Sequence, residues 1–209
     1  MKLQDYGLKF KDKDLFENVN IEFHNNTISH LLGNNGCGKS SFAKSCVGML
    51  DYKGTISGND KVTLISSSSN VPNEFCIKDI TEILKSRFNA NKVEKLYELL
   101  KLGKITPTLP ISKMSDGQKQ KVKLYVFLSA DNEIIILDEF TNALDKASSL
   151  ELYSFINEYI KEYEVSIINI THNLTDLEYI PGEYFYIAQK NIVNIETKQE
   201  IIDKYIKGE

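Results

Sequence analysis

Residues 33–40 read Gly-Asn-Asn-Gly-Cys-Gly-Lys-Ser, which fits the phosphate-cradling pattern Gly-x-x-x-x-Gly-Lys-Ser without a mismatch. The segment before it, Thr27–Leu32, is mostly apolar and β-prone. After it, Phe42, Cys46 and Met49–Leu50 fall at helical spacing. Strand, glycine loop and helix is the context in which such a match has chemical meaning. The glycines let backbone N–H groups turn inward around an anion, and the helix N-terminus adds the positive end of its dipole. Lys39 is placed to reach the outer phosphates of a triphosphate, and the Ser40 hydroxyl to ligate Mg²⁺.

The chain has 209 residues, room for one α/β domain with a modest insertion. At 42% apolar and 26% charged it reads as an ordinary globular protein. A formal charge of −4 without a basic block gives no reason to expect nucleic acid as a partner. The longest apolar run, Ile134–Leu137, suits a buried strand and falls far short of a membrane span. The first residues lack the apolar core of a signal peptide, so a cytosolic protein is expected. Any membrane association would then be peripheral and run through another polypeptide. Cys37, Cys46 and Cys76 lack metal-ligand spacing and read as free thiols. Cys37 lies near a helix N-terminus, which would lower its pKa, although a small residue that fits the loop is the simpler reading.

Along the chain, strands are expected near 2–10, 18–24 and 27–32. Two more, at 53–57 and 61–66, surround the turn Gly58-Asn59-Asp60 and would complete a β-rich layer beside the loop. Residues 71–113 read as a small helical insertion, with helices at 77–88 and 92–102 and Gly103 as the cap of the second. Then come a helix at 116–130, a strand at 133–137 and a helix at 146–162 with Leu150, Tyr153, Ile156 and Ile160 on one face. A strand at 165–170, a short helix, a hairpin at 184–195 and a helix at 198–207 close the chain. Strands alternating with helices imply a mostly parallel sheet covered on both faces.

Three further constellations carry chemistry. Ile134–Leu137 ends in Asp138 and Glu139, and ligands bind at the carboxyl ends of such strands. Asp138 suits Mg²⁺, and Glu139, one residue on, suits polarising an attacking water. Ile167–Thr171 is a second apolar strand, and His172 at its end is placed to meet the same phosphate and hold Glu139 in register. His24 and His30 have no such company. Ser115-Asp116-Gly117-Gln118 opens a helix, with Ser115 or Asp116 as its cap and Gly117 admitting a close ligand approach. One nucleotide cannot easily use two such helix ends from one small domain, so a second copy would supply one of them.

In this order, the motifs resemble those of the ATP-binding cassette family over nearly the whole chain. Residues 33–40 are similar to its Walker A loop, Ser115–Gln118 to its signature, Ile134–Glu139 to Walker B with the catalytic glutamate, Asn142–Asp145 to the D-loop and His172 to the switch histidine. The resemblance implies a P-loop NTPase (RecA-like) α/β core over 1–70 and 114–209, with an antiparallel N-terminal β layer and the helical subdomain 71–113. It implies ATP and Mg²⁺ as cofactors. Asn34, Asn35, Gly36, Cys37, Gly38, Lys39, Ser40 and Ser41 would surround the phosphates, and Phe10 would stack on adenine, with Tyr6 a less favoured alternative. Metal ligation would fall to Ser40 and Asp138, and catalysis to Glu139 and His172. It also implies a head-to-tail homodimer, or a heterodimer with another ATPase of the family. In it Ser115, Gly117 and Gln118 cap the partner's ATP, and Asp145 lies at the interface.

Two departures stand out. Leu64–Asn73 contains no glutamine where the family has one that contacts Mg²⁺, so Ser67, Ser68 or Asn70 would have to substitute. Asp116 replaces the first signature glycine and is expected to turn away from the ligand to cap the helix. The leading expectation is an ATP-hydrolysing subunit that powers a transporter through a separate transmembrane permease, which would dock on the helical insertion and the Ser/Asn loop. The short stretch after His172 tilts this toward a simple exporter-type or peptide-export system. Two alternatives stay open: a non-transport ATPase of the same family acting in protein or cofactor assembly, and a weakly hydrolysing regulatory subunit.

Overall fold

A computed structural model describes residues 1–142 and 144–208. The N-terminal part is antiparallel: β1 (Lys2–Phe10) pairs on one edge with β2 (Lys13–Glu22) and on the other with β4 (Lys53–Ser57). The main sheet contains β3 (Ile28–Gly33), β5 (Val62–Ile65), β6 (Ile134–Asp138), β7 (Ser166–Ile170), β8 (Glu183–Ala188) and β9 (Asn191–Ile195). Its order is β5-β6-β7-β3-β8-β9, parallel throughout except for the last hairpin. Aliphatic runs make this possible: Ile134–Leu137 and Ser166–Ile170 are buried on both faces, as central parallel strands must be.

The helices are α1 (Lys39–Cys46), α2 (Ile77–Arg87), α3 (Ala90–Leu99), α4 (Asp116–Leu128), α5 (Lys146–Tyr163), α6 (Leu174–Tyr179) and α7 (Lys198–Lys207). One core cluster joins α2–α5 to one face of the sheet through Ile135, Leu137 and Ile167. A second packs β1, β2 and α1 on the other face, with Phe16, Phe23 and Phe42 against Ile136 and Ile168. Among the described residues no helix is long and apolar enough to cross a membrane.

Four expectations need correcting. β5 does not flank the loop as part of the antiparallel layer; it runs parallel to β6 in the main sheet, from Val62↔Ile134 to Ile65↔Leu137. Helix α1 stops at Cys46, Gly48 takes φ +72°, and Met49 is 68% exposed instead of continuing the apolar stripe. Lys101 at φ 54°, not Gly103, makes the left-handed turn after α3. Leu150 is exposed, and Leu152, Phe155 and Tyr159 join Tyr153 and Ile156 as the buried residues of α5.

Ile136 lies in the middle of β6, fully buried between β5 and β7. Ile136→Ala is expected to cost about 2–5 kcal/mol, read as a lowered urea midpoint with an unchanged slope.

Candidate functional site

The loop between β3 and α1 is shaped by backbone that only glycine adopts easily. Gly36 has φ +76° and Gly38 φ +113°, and a Cβ on Gly38 would sit 2.9 Å from the Phe16 ring. Lys39 opens α1 with its side chain folded back over the loop. Its Nζ donates to the Gly33 carbonyl at 2.7 Å and the Asn34 carbonyl at 3.2 Å. It is only 7% exposed, and no carboxylate among the described residues forms an ion pair with it. An ammonium has three donors, so this buried cation keeps one for an incoming group.

Beside the loop lies an open cleft of about 320 Å³, lined by Phe10, Lys13, Leu15, Asn35, Gly36, Gly38, Lys39, Ser40, Ser41 and Glu139. Phe10 is 45% exposed at its rim, whereas Tyr6 is fully buried and bonded to Ser45 Oγ at 2.8 Å, which removes Tyr6 as a stacking surface. Lys13 belongs to this cleft and donates to the Gly36 carbonyl at 3.3 Å. The sequence had not marked it, because Lys11-Asp-Lys-Asp reads as a solvated turn. Two loop residues face elsewhere. The Asn34 amide donates to the Gly208 carbonyl at 3.1 Å, and Cys37 lines a separate hollow with Ile187 and Ala188. Burial pushes the Cys37 thiol up and outweighs the opposing pull of the Lys39 ammonium and of the backbone N–H groups at the helix start, so the expected net lowering does not occur.

Asp138 ends β6, and its Oδ1 is buried with no hydrogen-bond partner among the described residues. Burial holds its carboxyl above the ordinary carboxylate range, although the Ser40 hydroxyl pulls the other way. One hydroxyl and one carboxylate with an orphaned oxygen fit a small hard cation that takes its other ligands from phosphate and water. Glu139 follows at φ 57°, a left-handed conformation unusual for a residue with a long side chain. That turn carries its carboxylate toward the end of β7. Oε1 lies 3.1 Å from His172 Nδ1, and Oε2 accepts from Asn142 Nδ2 at 2.6 Å. The pairing with His172 was expected from the sequence; the Asn142 contact was not. His24 instead pairs with Glu183 at 2.7 Å, and His30 is buried within a polar network.

Ser115, Gly117, Gln118 and Asp145 lie outside this cleft. Ser115 caps α4 in a reciprocal pair: its Oγ accepts from Gln118 N at 3.3 Å, and its own N donates to Gln118 Oε1 at 3.0 Å. Asp116 is not the cap; it turns outward beside Lys119 at 3.6 Å. Gly117 serves packing within the chain, since a Cβ there would meet Ser148 Cβ at 2.9 Å. Asp145 caps α5 by accepting from Ser148 N at 2.9 Å, and this bond holds its carboxyl below the usual range. Of Asn142–Asp145, Ala143 lies outside the described residues. In the Ser-rich loop, Ser68 Oγ is bonded to Ser66 Oγ at 2.8 Å.

Comparison with known proteins decides the family. The sequence pattern of the family described as "ABC transporter" matches residues 16–142. The chain belongs to the ABC transporter family. It is 41% identical over 210 residues to the "Probable peptide export ATP-binding protein YydI" of Bacillus subtilis (strain 168), covering 99% of both chains. It is 28% identical to the zinc import ATP-binding protein ZnuC of Wolbachia pipientis wMel, over 98% of this chain and 85% of that one. CbiO1 from Clostridium perfringens, part of the CbiONQ ABC transporter complex, shares the fold. The TM-score is 0.82 at 18% identity, over 99% of this chain and 91% of that one. The chain is therefore an ABC ATPase, a transporter's ATP-binding subunit.

The raised Asp138 carboxyl has a testable sign. Folding disfavours its ionised form, so in the magnesium-free, nucleotide-free chain its contribution to stability declines as pH rises through its folded-state pKa. Asp138→Asn lacks that titration. The variant is expected to melt closest to wild type at acid pH and progressively above it toward neutrality, in paired thermal melts across that range.

Proposed function

We propose that this chain hydrolyses MgATP at the Lys39 cleft to drive a peptide-exporting ABC transporter, whose membrane-spanning permease is a separate polypeptide. The peptide reading rests on its likeness to YydI along the full chain. Chain-bearing residues 71–113 and the loop 66–73 would face the permease as a helical subdomain, placing the protein peripherally on the cytoplasmic side of the membrane.

The observation that carries the reaction is the Glu139–His172 contact at 3.1 Å, at the mouth of a cleft lined by the buried Lys39, which makes no ion pair among the described residues. Lys39 and the loop amides would hold the triphosphate, and Phe10 would take the base against its exposed ring. Ser40 and Asp138 would hold Mg²⁺, which when bound neutralises charge on the phosphates. Glu139, with both oxygens oriented by His172 and Asn142, would accept the proton of the attacking water. An ionised Glu139 only accepts, so His172 Nδ1 carries the hydrogen between them.

A single chain leaves one side of that cleft open. The capped ends of α4 and α5 abut at Gly117 and Ser148 on another part of the surface. We read Ser115, Gly117, Gln118 and Asp145 as the surface that a second ATPase chain, identical or related, receives over its own nucleotide. Closure would then follow from contacts with the outermost phosphate that exist only in the paired state.

Glu139→Gln is expected to reduce ATP turnover by about 10²- to 10⁴-fold while retaining ATP affinity. Turnover equal to wild type would overturn the assignment of Glu139. Lys39→Ala is expected to lose ATP binding, measured by titration with a fluorescent ATP analogue; tight binding in that variant contradicts the cleft as the nucleotide site. With ATP, Glu139→Gln should elute at twice the monomer mass, and Ser115→Arg in the same chain should abolish that shift.

A further inference from the structure

Asp176 is a fully buried carboxylate that no step above uses. Among the described residues it has no cationic partner. Its Oδ1 accepts from Thr141 Oγ1 at 3.0 Å and Tyr153 OH at 2.7 Å, and its Oδ2 from Asn169 Nδ2 at 3.3 Å. The same Asn169 amide lies 3.2 Å from His30 Nδ1, and His30 Nε2 donates to the Ile180 carbonyl at 2.9 Å. That bond fixes the Nε2–H tautomer and leaves Nδ1 as the acceptor. The network is ordered donor by donor, from β3 through β7 to α6.

Burying a carboxylate without a cation is costly, and an apolar plug of similar volume packs a core at less expense. The position of this one gives it a different use. Thr141 lies two residues beyond Glu139, on the segment leaving β6. Asn169 lies three residues before His172 on β7, and Asp176 four residues after it on α6. A single carboxylate therefore ties together the two segments that carry the Glu139–His172 pair, with Tyr153 of α5 as a common post. The backbone repeats the link higher up, where Glu139 N donates to the Ile170 carbonyl at 2.9 Å.

We propose that Asp176 is a positioning residue, which through Thr141 and Asn169 holds Glu139 and His172 at their working separation. This rests on the reading of Glu139 as the base. Displacements of about 1 Å at a reacting pair can cost about a hundredfold in rate. The loss should therefore fall on kcat, since neither Asp176 nor Thr141 lines the nucleotide cleft.

The test is steady-state ATP hydrolysis by the full chain carrying Thr141→Val, Thr141→Ser or Asp176→Asn, each alone and combined with Glu139→Gln. Folding is checked by thermal melting. Thr141→Val and Asp176→Asn are expected to lower kcat about tenfold or more with KM for ATP within about twofold. Thr141→Ser, which keeps the donor, should return kcat to within about twofold of wild type. In the Glu139→Gln background, Thr141→Val should lower the residual rate no further, because the two changes disable one unit. Two outcomes overturn the proposal: folded Thr141→Val and Asp176→Asn chains with wild-type kcat, or a Thr141→Val loss that multiplies undiminished onto Glu139→Gln. Should Thr141→Val not fold, Tyr153→Phe, which removes the other donor to Oδ1, is read by the same criteria. If Glu139→Gln itself turned over normally, the reading of the base would fail instead.

Discussion

A buried ammonium held only by two carbonyls is the constraint from which the site follows. Lys39 spends two hydrogens on Gly33 and Asn34 and, among the described residues, meets no carboxylate at ion-pair distance. Carbonyl dipoles soften the desolvation of a cation but do not neutralise it. Close by, Asp138 has the complementary deficit: an oxygen without a donor and a carboxyl that burial keeps from ionising readily. The fold thus places an unsatisfied cation and an unsatisfied anion at the carboxyl edge of one parallel sheet. In the proposed function, MgATP would supply the opposite charges for both. Stability given up at these two residues would then be returned as binding energy when the ligand arrives.

Much of this was legible in the chain because the relevant signals are local. The glycine pattern, the aliphatic run ending in Asp138-Glu139 and the strand ending in His172 each specify an element and the residue at its tip. Parallel topology then collects the tips at one edge. What was not legible depends on distant partners. Val62–Ile65 looks the same whether it pairs with β4 or β6, and only the β5–β6 register decides. Met49 and Leu50 continued the spacing of α1, yet Gly48 had already ended it. Lys13 gave no signal, and Asn142 none as a partner of Glu139, because a polar residue in a turn acquires such meaning only from what the fold brings beside it.

The signature end of α4 shows the same limit at finer scale. Asp116 in place of a glycine raised the prospect of a carboxylate capping the helix. Ser115 and Gln118 already complete the cap between them, so Asp116 is left to the solvent side with Lys119. Gly117 is required for a reason the sequence could not disclose, namely Ser148 of α5 pressed against it. The starts of α4 and α5 are consequently packed against each other. In the proposed pairing, a partner surface that meets Ser115 would also depend on the placement of Asp145.

Glu139 adopts a left-handed backbone that glycine or asparagine accepts at less cost. With Glu139 as the proposed base, the fold and the chemistry have opposed preferences here: the residue that best relaxes the chain is one that cannot accept a proton. Gln inherits the same strain as Glu, so exchanging the two isolates the proton chemistry from the conformational cost. A lineage relieved of the need to hydrolyse ATP would gain stability by surrendering this residue. Glutamate at such a place is what the proposed turnover requires, against the preference of the backbone.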